Sequence, residues 1–300
     1  MTEEKELENP STDSWGIIQD FEEGIYKYLE VQVEGDGEYY GKDIHASGLD
    51  SCLRKTVYGA YNFPKNPRNV AELIQLEVGN LAHSMIQEAV LRNTRFNILG
   101  IELKVSDGLP NGISGKLDII AEHLETGRIG IWDIKSVRPN AFKFGNLVKP
   151  AHIIQVNSYR KGWEALHNKT VDDMFIYVLD RSGTNTPFIG VVEKMDDAIL
   201  EPIFEKYIKV LEVYELDKIL PDVLDYEITT KVGKNNSTLL IGNTYWECLY
   251  CQFQGITCPR KRYDKKDKIQ VGSIDGNGVV KIDNTDFKNE IDKKVREYIG

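Results

Sequence analysis

No stretch of the chain approaches the roughly 18 consecutive apolar residues that a membrane-spanning helix needs, so a transmembrane protein is not expected. No apolar h-region follows the first methionine. MTEEKELENPSTDSW is acidic, so no secretory signal is read there and a cytoplasmic setting is expected. Cysteine is scarce: four in 300 residues are too few for a disulfide scaffold, and a chain of this length has core enough to fold without staples. Internal repeats and a glycine-rich phosphate loop are both missing. Their absence argues against solenoids and P-loop or dinucleotide-binding folds.

Net positive charge is missing too, which at first sight excludes nucleic acid as a partner. The formal net charge is −10, but its distribution is uneven. Residues 1–50 hold 14 Asp and Glu against 3 Lys and Arg, a net of −11, so the remainder sums to +1. Arg260–Lys268 (RKRYDKKDK) carries six cations against two aspartates. Local basic stretches, not the global balance, bear on nucleic-acid binding.

The apolar periodicity sets out the elements that are there. Residues 1–14 read as an irregular acidic extension. Trp15–Val31 has a helical stripe, and VEGDGE (33–38) is a turn. Ser47 is placed to cap a helix running through Gly59. Asn69–Arg92 reads as a long amphipathic helix with Leu73, Leu76, Leu81, Met85, Ile86 and Val90 as its core stripe. Strands are expected at Ile98–Val105, Ser114–Glu122 and Arg128–Ser136, the last two joined as a hairpin through Gly127. Helix Ile153–Leu166, strands Asp173–Leu179 and Phe188–Glu193, and helix Asp196–Asp217 follow. Asp275–Gly278 reads as a hairpin turn and Phe287–Ile299 as a terminal helix. The order predicts an α/β fold with a mixed central sheet flanked by helices.

Gly115-Lys-Leu-Asp118 followed by Trp132-Asp133-Ile-Lys135 is the most informative stretch. Asp133 and Lys135 lie two apart on one strand and project from the same face, while Ile134 projects from the other. A lone D-x-K of this kind is ordinarily a surface ion pair. Here isoleucines at 129, 131 and 134 surround it, and charge is costly to place there unless that face opens into a polar site. Asp118 sits on the neighbouring strand of the hairpin. Two carboxylates brought that close repel unless a cation lies between them, and Mg²⁺ or Mn²⁺ favours oxygen ligands. Lys135 then has work beside the metal, orienting or deprotonating water or stabilising a phosphoryl oxygen.

The ordered set Gly79-Asn-Leu-Ala-His83, Gly115-Lys-Leu-Asp118, Asp133-Ile-Lys135 and Gln155-Val-Asn-Ser-Tyr159 resembles the PD-(D/E)xK nucleases of the RecB type over about residues 45–260. The resemblance implies a restriction-endonuclease-like core. It implies His83, Asp118, Asp133 and the carbonyl of Ile134 as metal ligands and Lys135 as the catalytic lysine. Gln155 and Tyr159 would line the DNA side of the site. His45, His123, His152 and His167 have no comparable placement and read as structural or exposed.

Cys248-Leu-Tyr-Cys251 and Cys258-Pro259 form a tight triplet, and Cys52 lies far upstream. In a reducing compartment such spacing reads as metal or redox chemistry; four thiolates suit either Zn²⁺ or an iron–sulfur cluster, and Pro259 after the last cysteine leans toward iron–sulfur. One distant N-terminal cysteine plus a C-terminal triplet resembles the AddB-type and CRISPR-associated RecB-type nucleases, as does the context Ser47-Gly-Leu-Asp-Ser-Cys52-Leu-Arg54-Lys55. That resemblance implies a [4Fe–4S] cluster on Cys52, Cys248, Cys251 and Cys258, stapling the N- and C-terminal segments across the core. The expected organisation is an acidic extension (1–44), a nuclease domain (45–260) and a C-terminal stretch (261–300). The expected activity is metal-dependent hydrolysis of DNA, by exonuclease action on single-stranded ends, in recombination, repair, phage or CRISPR-linked processing. A helicase, a recombinase or a CRISPR adaptation protein would be the partner, and no membrane is involved. The alternative is a catalytically silent DNA-binding or scaffold protein on the same fold.

Overall fold

The structure, a computed structural model, describes residues 19, 23–29, 42–145, 147–221, 227–232, 238–243, 248, 251–253, 255–258, 269–274 and 280–282. Residues 23–29 form helix α1. Then come β1 (Ile44–His45), α2 (Leu53–Ala60), α3 (Val70–Leu91), β2 (Phe96–Lys104), β3 (Ile113–Ser114), β4 (Lys116–His123) and β5 (Ile129–Val137). α4 (Pro139–Lys143), α5 (Pro150–His167), β6 (Asp173–Asp180), β7 (Phe188–Val191) and α6 (Asp197–Asp217) follow. The last four strands are β8 (Glu227–Val232), β9 (Thr238–Asn243), β10 (Ile269–Ile274) and β11 (Val280–Ile282). Among the described residues no helix is long and apolar enough to cross a membrane.

The chain forms two compact units, one built on Arg68–Leu109 and Gly115–Lys194, the other on Gly41–Pro67, Pro110–Ser114 and the chain from Met195 onward. The first holds a five-stranded sheet in the order β2-β4-β5-β6-β7. Only β5 and β6 are parallel, so the sheet is mixed, as the element order predicts. The β4–β5 hairpin closes through Gly127, whose φ of 69° suits a residue without a Cβ. The parallel step from β5 to β6 needs a crossover, and α5 supplies it. Nearly every residue of α5 from Ile154 to Trp163 is buried. The helix presses so closely on the Ser106–Gly108 turn that a Cβ on Gly108 would stand 2.0 Å from the carbonyl oxygen of Gly162.

Helix α3 begins at a capping box, with Asn69 Oδ1 accepting from the Glu72 amide and Glu72 Oε2 accepting from the Asn69 amide. Its expected core stripe is corrected. Only Leu73 is buried, while Leu81 and Met85 are 60% and 59% exposed. A Cβ on Gly79 would stand 3.2 Å from Ser136 Oγ, and His83 Nδ1 lies 3.6 Å from Asp118 Oδ2. These contacts turn the Gly79, His83, Ile86, Val90 face toward the sheet. Leu81 and Met85 then sit roughly half a turn away. Ile86, Ala89 and Val90 line a cavity of about 440 Å³ with Ile119, Trp132 and Ile134 rather than filling it.

In the second unit β1 and β3 pair in parallel, α2 packs on α6, and β11-β10-β9-β8 make an antiparallel sheet. That sheet is not foreseen from the sequence. The helix expected from Ser47 is also corrected. Ala46–Gly48 is a 3₁₀ turn, Asp50 takes a left-handed φ of 73°, and α2 starts only after Cys52 at its N-cap. The register Ile274↔Val280 brackets the expected hairpin. The turns at 33–38 and Asp275–Gly278, the Arg260–Lys268 strip and the Phe287–Ile299 helix lie outside the described residues, as does Trp15–Val31 apart from residue 19 and α1.

The contact between α5 and the Ser106–Gly108 turn is backbone on backbone, so no side chain can yield. Gly108→Ala is expected to cost roughly 1–3 kcal/mol or more, as overpacking does, and to lower the thermal midpoint of the full chain by circular dichroism. An unchanged midpoint would show that the turn can move away.

Candidate active site

The β4–β5 ladder runs from Glu122↔Ile129 to Ile119↔Trp132 and stops there. Beyond that point β4 stays with β2 through Leu103↔Leu117, and β5 stays with β6 to Val137↔Asp180. The two halves of the sheet part at the next pair of residues, Asp118 and Asp133. Parting frees the Ile134 amide, and Asp118 Oδ2 accepts from it at 2.6 Å. The gap holds two buried carboxylates, with His83 reaching Asp118 from α3.

Lys135 Nζ donates to Asp133 Oδ1 at 3.1 Å and to Gln155 Oε1 at 2.9 Å. Gln155 Nε2 in turn donates to the Tyr159 hydroxyl at 2.6 Å. The sequence places Gln155 and Tyr159 on the DNA side, but they are only 6% and 1% exposed. Gln155 accepts from the lysine and is braced in turn by Tyr159. The glycine of the G-K-L-D motif belongs to the same packing. A Cβ on Gly115 would stand 3.2 Å from Val105 Cγ2 and 3.3 Å from Tyr159 Cδ1.

Electrostatics follow from burial. Loss of solvent raises the Asp118 carboxyl above its ordinary range, against the Ile134 amide and Lys135, which pull it down. Burial raises Asp133 as well; Lys135 opposes this and Asp118 adds to it. Burial and then Lys135 lower His83, keeping the imidazole neutral and its nitrogen available as a ligand. Burial drives the Tyr159 hydroxyl well above its usual range, so it stays protonated.

Sequence reasoning missed Glu102. It lies in β2 between Ile101 and Leu103, whose partners Ile119 and Leu117 flank Asp118. Its carboxylate accepts from Gln87 Nε2 at 2.7 Å and pairs with Lys116 at 2.6 Å. His83, Glu102 and Asp118 each offer a ligand atom, all within 4.8 Å of one another. Glu102 also has a φ of 49°, a left-handed conformation that costs a non-glycine residue about 1–3 kcal/mol and persists only where the surroundings enforce it. The one signal in the sequence is an acid inside an otherwise apolar strand. The set fits a hard divalent cation with one imidazole nitrogen and two carboxylate oxygens; Asp133 is not in that close group, and its Oδ2 lies 2.9 Å from Lys135 Nζ yet accepts no directed hydrogen bond.

The other histidines make local contacts. His45 Nδ1 meets Ser47, His123 meets Thr126, His152 accepts from the Lys149 amide at the start of α5, and His167 stacks on Trp163. None of the four cysteines is in a disulfide, and all are partly buried in the second unit. Their thiols do not form a close ligand group of the kind His83, Glu102 and Asp118 make. Burial raises the Cys251 thiol; the Phe253 amide and Lys55 oppose this, and Cys258 and Cys52 add to it. The segment carrying Cys251 and Cys258 is tied to the region of α2 by protein contacts. Asn66 donates twice to the Gln252 carbonyl, at 2.7 and 2.9 Å, and the Tyr58 and Phe253 rings lie 5.3 Å apart.

No protein-family model matches the chain, and no curated protein matches it. Among solved structures it is similar to an alkaline exonuclease, LHK-Exo, from Laribacter hongkongensis, with 16% identity and a TM-score of 0.38 over 57% of this chain and 89% of that one. The same exonuclease in complex with dAMP gives 15% identity and a TM-score of 0.40 over the same shares. Likeness of this size decides neither fold nor function; the side chains must.

The Glu102 placement has a direct consequence. Glu102→Gln keeps the shape and removes the charge. It is expected to weaken Mn²⁺ binding by at least the roughly 10–100-fold that follows loss of an outer-shell partner, measured by titration calorimetry on protein that melts like the wild type. Unchanged affinity would exclude Glu102 as a ligand.

Proposed function

We propose that the chain is a metal-dependent deoxyribonuclease with a PD-(D/E)xK site. The observation that carries this reading is the parting of β4 and β5 at Asp118 and Asp133, with Lys135 two residues on and His83 opposite. His83, Asp118, Glu102 and Asp133 would hold Mg²⁺ or Mn²⁺, with the Ile134 carbonyl as the ligand that the motif resemblance implies. Such an ion, when bound, supplies Lewis acidity and a more acidic water for attack on a phosphodiester. Asp118 also binds the Ile134 amide and so sets the spacing of the two strands. Lys135, held between Asp133 and Gln155, presents Nζ to the water or to the phosphoryl oxygen as charge develops. Gln155 and Tyr159 fix that ammonium group from behind. By the motif resemblance the substrate is a single-stranded DNA end, in recombination, repair, phage or CRISPR-linked processing with a helicase or adaptation partner.

End-labelled single- and double-stranded DNA with Mg²⁺ or Mn²⁺ tests this reading. Lys135→Ala should fold as the wild type, retain Mn²⁺ and lose roughly 10²–10³ in rate, the usual effect of deleting one electrostatic donor. Full activity of the variant would remove Lys135 from the mechanism. A wild-type protein that binds DNA and cuts nothing with either metal would be the silent binder instead.

The second unit is proposed to carry a [4Fe–4S] cluster on Cys52, Cys248, Cys251 and Cys258. Support comes from the motif resemblance and from the placing of all four cysteines in one unit, none of them in a disulfide. Such a link would close a loop of about 200 residues and so restrict the unfolded chain, and metal binding there would be folding free energy. Cys52→Ala, prepared without oxygen, should lose iron and visible absorbance and melt lower, with its DNA-site residues untouched. Full iron content and a wild-type midpoint would exclude Cys52 as a ligand, and zinc in place of iron would change the cluster type.

A further inference from the structure

Outside the carboxylate site, the carboxyl ends of the two central parallel strands carry an unusual pair of cations. The β5–β6 register ends at Val137↔Asp180, and the Arg181 amide donates to the Val137 carbonyl at 3.0 Å. Arg138 and Arg181 are therefore the next neighbours on strands spaced about 4.8 Å apart. Crevices outside the carboxyl ends of strands are where open α/β sheets bind ligands.

Both side chains are tethered, and only by neutral groups. Arg181 donates from Nη2 to the Ser136 carbonyl at 2.9 Å and from Nε to Ser136 Oγ at 3.3 Å. Arg138 donates from Nη2 to Gln75 Oε1 on α3 at 2.6 Å. Among the described residues neither arginine pairs with a carboxylate. The obvious partner, Asp180, is saturated by its own loop. It accepts from the Ser182 amide and hydroxyl at 3.0 and 2.9 Å, from Thr184 Oγ1 at 2.7 Å, and from the Asn185 amide and Nδ2 at 3.0 and 2.7 Å. That cage pins the turn that presents Arg181 and leaves its charge unmatched. Burial and then the repulsion of Arg138 hold the Arg181 guanidinium below its usual range. An anion between the two forks would relieve the repulsion and take paired N–H donors, the geometry that suits phosphate.

We propose that Arg138 and Arg181 form a subsite for a backbone phosphate of the DNA next to the one being cut. The proposal rests on the nuclease reading and adds where the substrate strand is held. Helix α3 gives the scale. Gln75, which holds Arg138, is eight residues from His83, about 12 Å along the helix. Gly79, against Ser136, lies midway. A phosphate at the arginine pair is thus a neighbour along the strand and not the reacting group.

The test is binding of a fluorescent single-stranded DNA oligonucleotide to the full chain by anisotropy, in chelator so that nothing is cut, across a salt series. Arg138→Gln/Arg181→Gln should lower the slope of log affinity against log salt by about 0.7, the share of one phosphate on a single strand. It should also raise KM more than it lowers kcat in the metal-loaded assay. Arg138→Gln alone, at an exposed residue, should show part of the slope change, and it decides the matter should the double variant not fold. Slopes and KM equal to wild type, in variants that melt normally, would overturn the subsite while wild-type cleavage keeps the nuclease reading. A wild type that neither binds nor cuts DNA would overturn the nuclease reading, and the subsite with it.

Discussion

Two carboxylates buried side by side between hydrophobic strands are the constraint around which the first unit is arranged. Asp133 is 1% exposed and Asp118 9%. Charge in such a place is costly unless it is matched. The sheet responds by parting. Were β4 and β5 to continue their ladder, the Ile134 amide would be spent on the strand; instead it goes to Asp118. Lys135 goes to Asp133, and Gln155 and Tyr159 brace the lysine. The Ile134 amide and Lys135 donate to the carboxylates, Gln155 Oε1 accepts from the lysine, and Asp118 shares a close group of ligand atoms with His83 and Glu102.

That arrangement explains features of the fold with no other evident reason. Gly115 has no side chain because Tyr159 and Val105 occupy the space where one would go. Helix α3 leaves apolar residues on its outer side because its inner face is chosen by His83 and Gly79, not by its largest side chains. Glu102, at a left-handed φ, brings a carboxylate oxygen within 4.8 Å of a ligand atom of Asp118. The second unit is built on other terms, with α2, α6, a four-stranded antiparallel sheet and the four cysteines.

Much of the first unit is legible in the sequence because it follows from short-range rules. Alternating burial along β6 shows a period of two, and Gly127 marks the turn between β4 and β5. The D-x-K spacing alone places Asp133 and Lys135 on one face. Asn69 with Glu72 marks the start of α3. The face that α3 presents is less legible, since Leu76, Leu81 and Met85 make as good a stripe on paper as Ile86 and Val90. The β8–β11 sheet escapes notice because its strands, such as Glu227–Val232, are short and mix charged and β-branched residues.

By itself the sequence determined the mixed α/β plan, the order of the motifs and the placing of Asp118 and Asp133 on the two strands of one hairpin, because strand alternation and turn chemistry act over a few residues. The tertiary structure alone decided that the hairpin parts at those aspartates, that Glu102 joins His83 and Asp118, and that Gln155 and Tyr159 support the lysine from within the core. It alone decided, too, that Arg138 and Arg181 stand together at adjacent strand ends while Asp180 is occupied elsewhere. These are meetings of residues tens of positions apart. Such meetings depend on register, helix rotation and the matching of buried charge, none of which a local pattern encodes.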